Sequence, residues 1–164
     1  MKKIGVGLLA FISITLQAQE DRSTALFATL KTRDSLIFNV GFNQCNMGPY
    51  DTLISDDIEF YHDRGGVEYG KTVFIESVRT NICGQKNKLF RELVDSSLQV
   101  FPMYKEGILY GAIQQGDHRF YVMEGQARKY AGEAKFVHLW IIEQNHWHLK
   151  RVLSYYHHSS PTAR

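Results

Sequence analysis

The hydrophobic period changes once along this chain, and that change limits the fold more than any single motif does. In the first half, Leu26, Phe27, Leu30, Ile37, Phe38, Phe42 and Cys45 recur at three- and four-residue steps, with Lys31, Arg33, Asn39 and Asn43 between them. This spacing predicts one long amphipathic helix over residues 22–46. Gly48-Pro49 suits the start of a short helical turn carrying Leu53 and Ile54. Phe74, Val78 and Ile82 then predict a further helix from Lys71, stopped at Gly84. From Lys88 onward the segments KLFRELV, SLQVFPMY, ILYGAIQQGDHRFYVM, AKFVHLWIIE and HWHLKRVLSYY are rich in branched and aromatic residues. Helices first and strands later predict an α+β domain with a mostly antiparallel sheet.

One strand stands apart in the helical half. In DIEFYH, Ile58, Phe60 and His62 share a face, and Asp63-Arg64-Gly65-Gly66 is turn chemistry. Gly116-Asp117 predicts a bulge in the long middle strand, and EQNH a tight turn between the last two strands.

The N-terminus is a different kind of segment. Lys2 and Lys3 precede an apolar run from Ile4 to Leu16, and small-residue exit chemistry ends at Ala18. Residues 1–18 are therefore expected to be a signal peptide, too short in its apolar part to span a bilayer comfortably. Residues 19–164 are expected to form one domain, exported to the periplasm or the cell exterior, with no stable membrane insertion once the leader is removed. Removing it takes away two lysines and leaves seventeen basic against seventeen acidic residues. Without a basic field, nucleic acid is not an expected partner. The two cysteines, Cys45 and Cys83, each end a predicted helix; export permits a disulfide between them, and two buried thiols are the alternative.

Strand parity singles out the polar residues. Trp147, Leu149, Arg151, Leu153 and Tyr155 share one face of the last strand, which leaves Arg151 as a lone cation among apolar neighbours. His138 lies between Phe136 and Trp140, His118 shares a face with Phe120 and Val122, and His62 with Ile58 and Phe60. A buried charge needs a partner or a wet cavity, so these residues are expected to converge on one pocket. His62, Asp63 and His138 are the catalytic candidates, with His62 as proton acceptor and Asp63 orienting it. His118 at the mouth, Trp140 and Tyr155 in the wall, and Arg151 as anchor for an acidic group are the ligand-binding candidates. Each has a structural alternative: a backbone bond for His62, a turn for Asp63, satisfied core histidines for His118 and His138, an ion pair with Asp63 or Glu68 for Arg151. His157 and His158 read as a solvated tail. Gly-rich phosphate loops, Cys-x-x-Cys pairs and His-Glu-x-x-His are absent from the sequence, and Ser154 sits in no nucleophile-elbow context. The wide histidine spacing gives no support for a metal, and no cofactor is expected.

The segments DIEFYHDRGG, NICG, GAIQQGDHRFY, AKFVHLW and RVLSYYHH resemble the nuclear transport factor 2-like superfamily, and within it an exported bacterial branch of unknown function. The resemblance covers about residues 22–158. It implies a cone-shaped α+β fold in which a curved sheet wraps around a long N-terminal helix, as in ketosteroid isomerase and the SnoaL-like polyketide cyclases. His62 falls near the isomerase's general base, Phe38 near its oxyanion-hole tyrosine and His138 near its neutral acid. Phe38 lacks the hydroxyl, so the isomerase mechanism does not carry over, whereas a deep, mostly apolar pocket does. Three functions follow as expectations: a small-molecule-binding protein; an isomerase, cyclase or dehydratase with His62 as general base; and a protein-interaction module, since such cones often form homodimers through the open sheet face.

Overall fold

The computed structural model describes residues 19–125 and 127–159. The expected leader, residues 1–18, lies outside them, as do residues 160–164. The first helix has an α-helical part, α1 (Ala25–Ser35), that continues as a wider, π-type helix over Leu36–Asn43. Thr24 caps it by accepting from the Phe27 N–H. The wide turns have a local cause: Tyr50, at the start of the short α2 (Gly48–Leu53), donates its hydroxyl to the Ile37 carbonyl. Gly41 makes room for that ring, because a Cβ there would lie 2.1 Å from Tyr50.

Strand β1 (Ile54–His62) follows, then a short β2 (Gly66–Tyr69) that begins at the last residue of the expected turn and was not itself expected. Helix α3 (Lys71–Ser77) also continues as a π-type helix, Val78–Cys83. The remaining strands are β3 (Leu89–Leu93), β4 (Gln99–Lys105), β5 (Ile108–Glu124), β6 (Ala127–Glu143) and β7 (His146–Ser159). They form one seven-stranded sheet in the order β2-β1-β7-β6-β5-β3, with β4 also paired to β5. Among the described residues only the β1–β7 pairing is parallel. Cys45 and Cys83 are bonded, with Cα atoms 5.8 Å apart, and tie the ends of the two long helical segments together. Among the described residues no helix is long and apolar enough to cross a membrane.

The core fills the space between the helices and the concave face of the sheet. Phe27, Leu30 and Ile37 from the first helix meet Val100, Phe136, Trp140 and Leu149 from the strands. The EQNH turn forms as expected, with Gln144 and Asn145 both at positive φ, the hairpin geometry that matches strand twist. The bulge expected at Gly116-Asp117 is displaced: both residues pair regularly with β6, and the register shifts instead between Phe120 and Tyr121.

Strand β7 carries two irregularities that decide the site. Leu139 and Trp140 of β6 face Arg151 and Leu149, so Lys150 is an extra residue. After it the inward side switches from Leu149 to Val152 and Ser154. Further along, Glu133 and Lys135 face His158 and Tyr155, so Tyr156 and His157 oppose a single residue, and Tyr156 sits at φ 60°. Such bulges re-aim side chains. The second one turns His157 back toward the concave side.

Candidate functional site

A cavity of about 460 Å³ opens between the helices and the sheet. That volume suits a small organic molecule. Its wall is mostly aromatic and aliphatic: Phe38 and Phe42 come from the first helix, Phe74, Val78 and Ile82 from α3 and its extension, and Phe60, Phe120, Phe136 and Val152 from the strands. Its polar groups lie in three clusters: one at the buried end, one at the mouth, and one on the α3 side, where Ser77 donates to Glu68 Oε1 at 2.6 Å and Asn81 to Ser77 Oγ at 3.2 Å.

The buried end is built on Arg91 and Asp34. Their side chains are 1% and 3% exposed, and the guanidinium donates to both carboxylate oxygens, at 2.7 and 3.1 Å. The guanidinium also lies over the Phe38 ring, 4.0 Å from its centroid. Asn43 holds the Arg91 backbone in both directions, accepting from its N–H and donating to its carbonyl, each at 2.8 Å. The charge pair is therefore bidentate, enclosed and fixed from behind, as a buried pair must be.

Arg91 also sets the state of the neighbouring histidines. Its Nε–H donates to His118 Nδ1 at 3.2 Å. That nitrogen must be bare, so the neutral ring carries its proton on Nε2. His138 has the opposite tautomer. Its Nδ1 faces two acceptors, Gln114 Oε1 at 3.4 Å and Asp34 Oδ1 at 3.9 Å, and Gln114 Oε1 is itself oriented by the Trp140 indole N–H at 2.8 Å. Nδ1 is thus the protonated nitrogen and Nε2 the bare one. Burial first, and the positive Arg91 second, hold both histidines well below the ordinary histidine range. The contact between His138 and Asp34 is accordingly not an ion pair. Neither Nε2 has a protein partner among the described residues. The cavity wall therefore offers one unpartnered N–H donor, His118 Nε2, and two unpartnered acceptors, His138 Nε2 and Glu68 Oε2.

The mouth is built from β1 and the end of β7. His157 donates from its ring Nδ1 to Asp63 Oδ1 at 2.5 Å, and from its backbone N–H to Oδ2 at 3.1 Å. Burial alone would raise the Asp63 pKa, but the backbone and ring hydrogen bonds from His157 outweigh it, so the carboxylate is held below its ordinary value. On the other side of the ring, Nε2 lies 3.3 Å from Ser154 Oγ. His62 stacks on His157 with centroids 4.3 Å apart. Its own Nδ1 accepts from the backbone N–H groups of Arg64 and Gly65, at 3.0 and 3.1 Å. Arg64 donates to the His157 carbonyl and to Ser159 Oγ, fastening the end of β7 over the turn.

Several expectations need correction on this geometry. His62 reaches the pocket, but its Nδ1 lone pair caps the turn, so the neutral ring offers only an N–H. Asp63 orients His157 at 2.5 Å rather than His62 at 3.5 Å. His138 lines the cavity at its buried end. His118 lies inside the cavity beside Arg91, not at the rim. Trp140 is fully buried behind the wall and holds Gln114. Arg151 and Tyr155 lie on the far side of the sheet, because the bulge at Lys150 reversed their parity. Arg151 pairs there with Glu59 at 2.9 Å and donates to the Asp57 carbonyl, so it anchors no ligand.

The sequence reading missed Asp34, Arg91, Ser154 and His157. The first two had a signal. Asp34 occupies the same helical stripe as Leu30 and Ile37, and Arg91 alternates with Leu89 and Leu93. Ser154 and His157 had none, since their orientation depends on the two bulges. His62, Asp63 and His157 also present ligand atoms within 4.8 Å of one another, a spacing that a divalent cation can bridge. In the geometry observed both ring Nδ1 atoms are already engaged in hydrogen bonds.

No protein-family model matches the chain, and no curated protein matches it. Solved structures do. An NTF2-like protein of unknown function from Pseudomonas putida KT2440 superposes with a TM-score of 0.64 at 14% identity, covering 80% of this chain and 87% of that one. This chain has the nuclear transport factor 2-like fold. The hexachlorocyclohexane dehydrochlorinase LinA-type3 from Novosphingobium barchaimii LL02 shares that fold with a TM-score of 0.64 at 13% identity, over 85% of this chain and 93% of its own. A nuclear transport factor 2-like superfamily protein from Salmonella enterica serovar Typhimurium LT2 does so with a TM-score of 0.62 at 14% identity, over 86% and 99%. At these identities the likeness is one of fold. It accounts for the cone, in which the sheet curls around the first helix and leaves a cavity inside.

Proposed function

We propose that the protein is an exported small-molecule-binding protein whose ligand is largely apolar and carries one group that both accepts and donates a hydrogen bond. The observation that carries this reading is the pair of unpartnered ring nitrogens, His118 Nε2–H and His138 Nε2, in a mostly apolar wall whose other unpartnered polar atom is the acceptor Glu68 Oε2. A buried polar atom without a partner costs about 1–3 kcal/mol, so a ligand that supplies both partners gains affinity and orientation. A hydroxyl or a neutral carboxylic acid group does this. An ionised acid does not fit, because Arg91 is already satisfied by Asp34, Arg64 is engaged by the His157 carbonyl and Ser159, Arg151 lies outside, and Glu68 adds a carboxylate to the wall. The leader-like N-terminus and the Cys45–Cys83 bond favour export. The test is native mass spectrometry of protein purified from its own host. A retained organic mass is expected in the wild type and absent in His138→Leu. No retained mass in the wild type, together with no thermal stabilisation by a panel of phenols and neutral acids, overturns the reading.

A second reading is favoured by one observation, the Asp63–His157 pair at the mouth. A ring whose Nδ1–H is held by a carboxylate presents a bare Nε2 that can take up a proton as a general base. In this reading the protein is an enzyme of proton-transfer type, with His157 in the role the sequence reading assigned to His62.

A further inference from the structure

Ser154, His157 and Asp63 form one connected row at the mouth. Ser154 Oγ lies 3.3 Å from His157 Nε2, and His157 Nδ1 lies 2.5 Å from Asp63 Oδ1. The proton positions follow from the partners. A carboxylate only accepts, so His157 Nδ1 carries the hydrogen. The bare Nε2 of the neutral ring then accepts from the Ser154 hydroxyl. This is the order nucleophile, base, orienting acid that activates a serine.

The fold holds the row in place. Asp63 follows β1, and its backbone N–H donates to the Ser154 carbonyl at 3.1 Å, so the parallel β1–β7 register fixes the acid against the serine. Tyr156, at φ 60°, folds the chain so that His157 returns over Ser154 three residues before it. A non-glycine residue in that region is strained, and such strain gathers where a particular side-chain aim is held. Ser154 is 6% exposed and lines the cavity, so its hydroxyl faces the ligand space rather than bulk water.

A hydroxyl nucleophile also needs a donor for the oxygen that becomes negative. His118 supplies a candidate. Its Nε2–H is buried and unpartnered, its tautomer is fixed by Arg91, and its ring centroid lies 6.4 Å from that of His157.

We propose that this row is an acyl-transfer centre that hydrolyses carboxylic esters with an apolar acyl group. The inference rests on reading the cavity as a small-molecule site. The acyl group lies in the aromatic cavity. Ser154 Oγ bonds to the ester carbonyl carbon as its proton passes to His157 Nε2. The carbonyl π pair moves onto oxygen, facing His118 Nε2–H. When that pair returns, the C–O bond to the alcohol breaks, and the alcohol leaves with the proton from His157. Water then bonds to the acyl carbon and gives one proton to His157; the C–Oγ bond breaks as His157 returns that proton to Ser154 Oγ, and the free acid leaves. Asp63 is a positioning residue that keeps the ring in the reactive tautomer.

The test uses the disulfide-bonded protein, an alkyl fluorophosphonate and p-nitrophenyl butyrate. The expected result is a phosphonyl adduct on Ser154 by peptide mapping. Ester turnover is expected to fall at least about 10²-fold in Ser154→Ala and in His157→Gln. Asp63→Asn is expected to lower kcat and change the pH profile of kcat/KM, which a merely structural role would not do. Absence of the Ser154 adduct, or turnover unchanged in Ser154→Ala, overturns the proposal. Native mass spectrometry of the same samples separates the two levels. If the wild type retains an organic mass but Ser154 takes no label, only the acyl-transfer inference fails. If it retains none, takes no label and is stabilised by none of the phenols and neutral acids, the cavity reading fails with it.

Discussion

The two ends of the cavity use the same residue types for opposite purposes. At the buried end, Asp34 is consumed by Arg91, and Arg91 fixes His118 while Gln114 and Asp34 orient His138. Charges are neutralised in place, and the histidines stay neutral. At the mouth, the partners of Asp63 among the described residues are titratable rings, His157 at 2.5 Å and His62 at 3.5 Å, and the His157 ring faces a hydroxyl. A carboxylate locked to arginine stabilises a structure, because the guanidinium is always charged. A carboxylate bonded to histidine leaves a proton that can move. The contrast predicts that mutations at the buried end act on stability and mutations at the mouth act on chemistry.

The largest effect expected from this contrast is on the buried pair. Arg91→Ala leaves Asp34 charged and enclosed, and a loss of about 3–5 kcal/mol is expected in urea unfolding. Asp63→Ala, which removes the acceptor of two His157 hydrogen bonds at an exposed rim, is expected to lower the unfolding midpoint by much less. A comparable loss in both variants would break the distinction between the two ends.

The disulfide holds the helical wall that the two ends share. Loop closure across its 38-residue separation predicts a loss of about 3–4 kcal/mol on reduction, measurable as a lower thermal midpoint with reductant present. If the midpoint does not move, the helices hold their positions by packing alone.

Acid should act on the buried end next. His118 and His138 have folded pKa values depressed below the unfolded 6.5. Their stabilising neutrality is complete above about pH 6.5. Below it the unfolded chain takes up protons that the folded chain does not, so stability falls as pH drops toward the folded values. The slope is about 1.4 kcal/mol per pH unit for each histidine. Chemical melts between pH 7.5 and 5 measure it, and His138→Leu should flatten the slope by removing one of the two groups. A flat profile in the wild type would mean that these rings are accessible to protons.

The smallest effect is expected outside the cavity. Arg151 pairs with Glu59 at a half-exposed site on the far face of the sheet. Arg151→Ala should cost no more than about 1 kcal/mol, with retained ligand and turnover unchanged. A loss of either function would return Arg151 to the site.

Much of the architecture was legible in advance, and the candidate site only in part. Periodicity at Leu26 through Cys45 located the first helix, and the alternation at Ile58, Phe60 and His62 located β1 and brought His62 and Asp63 to the pocket rim. The same parity test failed on β7. It placed Arg151 and Tyr155 inside the pocket, and with an extra residue at Lys150 they face outward while Val152 and Ser154 face in. His157 read as tail because nothing local marks the second turn at Tyr156. Asp34 and Arg91 were readable and overlooked, each a charged residue within an apolar stripe.

By itself the sequence determined the helix-then-sheet order, the antiparallel hairpins, the cysteine pair at two helix ends and an apolar interior with a few polar groups. These depend on periods of 3.6 and 2.0 residues, which are properties of the local backbone. Only the tertiary structure decided which polar groups meet. A bulge is set by how one strand pairs with its neighbour, and a single inserted residue reverses every side chain beyond it. That is why Arg151 faces away from the cavity, and why Ser154, His157 and Asp63, distant or unremarked in the sequence, stand in one row at its mouth.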